Sequence, residues 1–225
     1  MTAAPGTGAA PTATVPLDLQ SLTITTAIAY AIHEALEPLD VGDPVEVYIG
    51  AAPALIPDLE TWARQRGHRL EVIEGGATGS RLRFTKGHAE RSERRVAIVV
   101  SDAGLEDLLS PLGFALAAAL EGAAVSVYLQ GPAVRVLRPG WSATLPWPMR
   151  PFTRFARQGL EAAGHVAAIE KLRQLRSLGG RVYACGPSLA HFGVDPHELV
   201  LPDVTVCEYL TFMAVMQEAD VQLYP

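Results

Sequence analysis

The chain has 225 residues, 49% hydrophobic and 19% charged, with a net charge of −6 at pH 7 and a pI near 5.5. That leaves room for one or two domains with a sizeable core, excludes a disordered chain, and argues against a basic nucleic-acid footprint. Two cysteines are too few for a disulfide-stapled scaffold or a Cys-rich zinc site. Residues 1–13, rich in Ala, Gly, Pro and Thr, are expected to form a flexible tail without the basic start and apolar centre of a secretory signal. The most apolar stretch, residues 112–129, is broken by Glu121 and Gly122 and reads as a helix followed by a strand, not as a membrane span. A cytoplasmic location with reduced thiols is the expectation.

Residues 14–87 read as a βαβαββ unit. A short strand is expected over 14–19. Apolar residues Ile28, Ala31, Ile32, Ala35, Leu36 and Leu39 recur at helical spacing over 27–39, with Thr25 or Thr26 available as a cap. Alternation predicts a strand over 45–49. A helix over 57–65 opens on Pro57 and stops at Gly67. Strands over 70–73 and 80–85 flank a hairpin connection, residues 74–79. The expected product is a two-layer sandwich with both helices on one face of the sheet. Residues 88–94, charged and without apolar periodicity, are expected to be a linker.

The segments VPLDLQSL, GDPVEVYIG, PDLETWARQRGHRLEVIE and LRFTKG together resemble the TusA (SirA-like) sulfur-carrier family, most specifically at TWARQRGHRL. That family's chemistry rests on a Cys-Pro-x-Pro motif at the start of its first helix. Here Ile24 stands at the Cys position, with Thr25 and Ala27 at the two Pro positions, and residues 14–87 contain no Cys. The resemblance therefore implies a sulfur carrier without its reactive group, left with docking, regulation or packing as its role.

Residues 95–225 alternate strand and helix. A nearly continuous apolar run over 95–100 predicts a strand buried on both faces. A helix is expected over 105–120, a second buried strand over 124–129, a long connection over 131–164, and a helix over 166–178 closed by Gly179 and Gly180. A strand over 181–184, a short strand over 204–206, a helix over 208–217 and a last strand over 220–224 follow. This order implies a parallel sheet with helices on both faces and function at the carboxyl ends of the strands. No phosphate-binding glycine motif, serine elbow or metal-ligand spacing appears, so neither a cofactor nor a metal is expected.

Cys185 stands where a strand ends and a helix begins, followed by Gly186, Pro187 and Ser188. Gly186 admits an unusual backbone angle or a close approach, and Pro187 suits a first helical turn. Amides at a helix start favour thiolate over thiol, the form that attacks sulfane sulfur. The same position also suits an inert, packed cysteine. His191, with His197 beyond it, flanks the turn and could hold or move a proton. Cys207 opens a second strand-to-helix junction beside Glu208, expected to raise its thiol. It reads either as a resolving partner for Cys185 or as a packed residue. Residues 141–157 hold two of the three Trp, three Pro and three Arg, a composition suited to a subunit contact or a lid.

The stretch RVYACGPSLAHFGVDPHELV, with VTVCEYLTFMAVMQEADVQLY after it and RRVAIVVSDAGLEDLLSPLGFALAAALEGAAVSVYL before it, resembles the DsrE/DsrF family in its peroxiredoxin-like branch. The family cysteine maps onto Cys185. The resemblance implies a cytoplasmic sulfur-trafficking domain that accepts sulfane sulfur, assembles as a homo-oligomer and works with sulfur-carrier or sulfurtransferase partners. Neither nucleic acid nor stable membrane insertion is expected. A non-catalytic docking or assembly protein and a thiol redox protein using Cys185 and Cys207 remain alternatives.

Overall fold

The structure is a computed structural model that describes residues 16–52, 54–88 and 92–224. The predicted tail and part of the predicted linker lie outside the described residues, as do the first two positions of the first predicted strand.

The first unit builds a four-stranded sheet from β1 (Leu17–Leu19), β2 (Pro44–Gly50), β3 (Arg69–Gly76) and β4 (Gly79–Thr85), in the order β1-β2-β4-β3. Two helices, α1 (Thr25–Leu36) and α2 (Leu55–Gln65), pack against it. The alternation in β2 places Val45, Val47 and Ile49 in the core, where Leu82 and Phe84 of β4 meet them from the neighbouring strand. The hairpin is tighter than its sequence suggests. β3 and β4 stay paired out to Gly76 and Gly79, with a bulge between Val72 and Glu74, so only Ala77 and Thr78 turn the chain. Neither Thr25 nor Thr26 caps α1; Ile24 holds the cap position, and the Thr25 hydroxyl donates to Asp58 Oδ2 at 3.2 Å.

Gly67, at φ +69, ends α2 with its backbone pressed against Gly87 and His88. A Cβ at either glycine would collide with backbone oxygen, so both positions require glycine. This contact lets buried His68 accept the Gly87 N–H through Nδ1 at 3.0 Å.

The second unit is a five-stranded parallel sheet in the order β8-β7-β6-β5-β9. Its strands are β5 (Arg95–Val100), β6 (Ala124–Leu129), β7 (Arg181–Cys185), β8 (Thr205–Cys207) and β9 (Val221–Leu223). One face, with Val96, Ile98, Val127 and Val182, packs on α3 (Leu109–Leu120) and α5 (Ala168–Ser177). The other, with Ala97, Val99, Tyr128, Tyr183 and Cys185, meets Phe212 of α7 (Tyr209–Gln217). Helices thus flank both faces, as expected, but unequally.

In the second unit, two elements differ most from the sequence reading. Helix α3 starts later, because Gly104 bridges Thr144 and Leu105 N–H donates to Thr144 O, which holds residues 105–108 in turns. The long connection is not structureless. It holds a 3-10 segment, Gly131–Leu137, and helix α4 (Thr153–Ala162).

The two units share an interface. Trp62 Nε1 donates to Leu120 O at 3.1 Å, the Thr23 hydroxyl to Ala163 O at 2.8 Å, and the Tyr30 and Ser177 hydroxyls lie 3.0 Å apart. Leu120 of α3 is part of the first unit's core. The layers therefore run sheet, α1 with α2, α3 with α5, sheet and α7.

Candidate functional site

Cys185 is the last residue of β7 and holds the cap position of α6 (Gly186–His191). Pro187 lies in the first turn, where its missing N–H leaves no helical bond unmade. Gly186 does not take an unusual backbone angle. It has no positive φ, and a Cβ there would make only ordinary contact with Val206 Cγ1 at 3.6 Å. Its role is a helix start, not a strained turn.

Burial raises the Cys185 thiol, but hydrogen-bond donors outweigh it and bring the pKa below the usual thiol range. The donors are the Ser188 hydroxyl, the Tyr128 hydroxyl and the Ser188 backbone N–H; Glu208 opposes them through its charge. Ser188 Oγ accepts the Gly131 N–H at 2.9 Å. Its proton can then be directed at sulfur, since a hydroxyl has one proton and two lone pairs. Tyr128 Oη is buried and, among the described residues, has no fully formed hydrogen bond. Ser188 and Tyr128 both lower the Cys185 thiol, Ser188 the more strongly. Burial first, and then the sulfur, push the Tyr128 phenol well above its ordinary value, which keeps it a proton donor.

β8 brings Cys207 alongside. Cys185 and Cys207 are register partners in the parallel β7–β8 pair, and partners in register point to the same face. Neighbouring strands lie about 4.8 Å apart, inside the Cα span of a disulfide. Both thiols are free. The Cys207 thiol is raised by burial and by Cys185, not by Glu208 as the sequence suggests. Glu208 acts on Cys185 instead.

Cys185 is only 1% exposed, whereas Cys207 is half-buried. The cover is thin. Phe212, 2% exposed, is the one fully buried side chain of α7; it stacks on Tyr128 at 4.6 Å between ring centres and meets Tyr183 edge-on. Leu210 on the same helix is 89% exposed.

His191 lies at the far end of α6, exposed, with its ring edge-on to Phe192. It is not among the groups that shift Cys185. His197 is exposed in the following turn. Tyr128 and Phe212 escaped the sequence reading. The one available signal was a hydroxyl-bearing Tyr128 inside the otherwise apolar run of β6, since a buried phenol usually finds a partner. In residues 141–157, Trp147, Phe152 and Phe155 are exposed, and α4 buries no side chain.

Among the described residues, no helix is long and apolar enough to cross a membrane. The profile of the DsrE/DsrF-like family matches residues 94–225. Comparison with curated proteins gave no match. Among solved structures, the crystal structure of the ychN protein from E. coli is similar to this chain. It is 16% identical, covering 60% of this chain and 100% of that one, with a TM-score of 0.44.

Proposed function

The chain belongs to the DsrE/DsrF-like family through residues 94–225, and from that premise we propose that it carries sulfane sulfur on Cys185. The single observation that carries this reading is the placement of Cys185 at the carboxyl end of a parallel strand and at the cap position of α6, where Ser188 and Tyr128 favour its thiolate. A thiolate is the attacking form in sulfur exchange.

In the first step the Cys185 thiolate attacks the outer sulfur of a donor persulfide. A new S–S bond forms on Cys185 as the donor's S–S bond breaks, and the donor leaves as thiolate. The outer sulfur keeps its proton. In the second step a partner thiolate attacks that outer sulfur, takes it with its proton and releases Cys185 as thiolate. Each step exchanges one S–S bond for another, so no external oxidant or reductant is consumed. Outward movement of α7, anchored by Phe212, opens the path to the buried sulfur.

The first unit, TusA-like in sequence, serves in this reading as a docking surface for sulfur-carrier or sulfurtransferase partners. Ile24 cannot hold a persulfide. The exposed apolar side chains of α7, Leu210 and Met213 among them, support assembly of identical chains in the cytoplasm. A second reading, a dithiol redox protein, draws on the Cys185–Cys207 register.

The test is the intact mass of the reduced chain after brief exposure to polysulfide, with Cys185→Ser and Cys207→Ser alongside. Gain of one sulfur atom, lost only in Cys185→Ser, is expected. Loss of two hydrogens, abolished by either substitution, would replace the carrier with the redox reading. No mass change in any chain would leave docking and assembly alone.

A further inference from the structure

On the opposite side of the sheet from Cys185, a cavity of about 210 Å³ lies among α3, α4 and α5. Its walls are mainly apolar, with Leu105, Leu108, Val136, Trp141, Leu160 and Ile169. Two nitrogen-bearing side chains that line it lack adequate partners. Lys171 is 7% exposed, and its Nζ makes one hydrogen bond, to Leu109 O at 3.3 Å. An ammonium has three protons to place, and a buried cation ordinarily faces a counter-charge. No described carboxylate lies within ion-pair distance of Lys171. Burial alone lowers its pKa, with no acidic group acting in the other direction. His165 Nδ1 is buried without a hydrogen-bond partner, and His165 is lowered by burial and by the Lys171 charge. Both groups line one apolar space, and the Lys171 charge disfavours protonation of His165.

The other charged residues lining the cavity are Arg157, whose Nη2 donates to Ala143 O at 2.9 Å, and the exposed Glu161. We propose that this cavity binds a small amphipathic organic anion, its carboxylate on Lys171 and His165 and its apolar body against the leucine-rich walls. An anion supplies the charge that Lys171 lacks. Inorganic sulfate or phosphate is a poor fit, because the mainly apolar walls replace too little of its hydration. A dry cavity of about 150 Å³ accommodates benzene, so this one suits roughly eight to ten heavy atoms.

Octanoate matches that size and chemistry, and 1-octanol is its uncharged counterpart. Titration of the full chain by calorimetry, with intrinsic tryptophan fluorescence, to which cavity-lining Trp141 contributes, as a second signal, reads both. Saturable one-site binding of octanoate is expected, with 1-octanol at least about tenfold weaker and Lys171→Met weakening octanoate by a similar factor. Cys185→Ser should bind octanoate like the wild type, because the two sites lie on opposite faces. Equal binding of the acid and the alcohol, absence of saturable octanoate binding, or unchanged affinity in folded Lys171→Met would each overturn the proposal. Should Lys171→Met not fold, the acid-against-alcohol comparison on the wild-type chain decides alone.

Discussion

Ile24 and Cys185 occupy the same kind of position, each the extended residue before the first turn of a helix, at φ −106, ψ 118 and φ −69, ψ 114 respectively. Their surroundings differ as much as their side chains. Beside Ile24, the Thr25 hydroxyl spends its proton on Asp58, and the nearby carboxylate would repel a thiolate. Beside Cys185, Ser188 is held by the Gly131 N–H with its own proton available for sulfur. A helix start alone does not make a reactive site. In the proposed account donors beside the sulfur do, and they lie in the second unit, where the charge of Glu208 opposes them without cancelling them.

The largest effect that would sharpen this contrast is Phe212→Ala. Removing a buried aromatic that stacks on Tyr128 should destabilise the second unit by about 3–5 kcal/mol, read by chemical denaturation. The same change should speed alkylation of Cys185 more than that of Cys207, which is already partly exposed. Equal acceleration of both thiols would mean that α7 is not the cover.

The first unit has its own pH signature. Burial, then the positive charge of Arg66, lower His68 from 6.5 to about 4, and its Nδ1 must stay unprotonated to accept the Gly87 N–H. The unfolded chain binds this proton near pH 6.5 and the folded chain only near pH 4. Stability is therefore full above pH 6.5 and falls as pH drops toward 4, by up to roughly 3 kcal/mol. Urea titrations at pH 7.5 and 4.5, with His68→Gln as reference, should show a steeper acid loss in the wild type. Parallel losses would remove His68 as the cause.

A smaller effect isolates the donors. Ser188→Ala should slow Cys185 alkylation at pH 7 by about tenfold, the worth of one hydrogen bond to a charged group. The Cys207 rate should hardly move. Unchanged Cys185 reactivity would break the claim that donors, and not helix position, set this thiol apart.

Local pattern carried most of the architecture. The buried runs at 95–100 and 124–129 became strands with those bounds, and the alternation in β2 set its inward face. Failures came where distant residues decide. Residues 105–108 carry helical periodicity, yet the link to Thr144 holds them in turns. Helix α4 is masked by the Pro and aromatic residues that precede it. In the candidate site, Cys185 and its turn were legible from a strand-to-helix junction. Tyr128 and Phe212 were not, because Tyr128 lies 57 positions before Cys185 and Phe212 on a later helix, and only the folded sheet brings them together. The electrostatic partner of Glu208 was misread for the same reason. Sequence adjacency pointed to Cys207, while the fold turns its charge on Cys185.

The most direct test of the central claim is the alkylation rate of each cysteine across pH, measured peptide by peptide on the reduced chain. Cys185 should reach half its maximal rate below the ordinary thiol value of about 8.5, and Cys207 above it. Protonation silences each thiol below its midpoint, so at neutral pH Cys185 carries the larger thiolate fraction. A Cys185 midpoint at or above that of Cys207 would contradict the account.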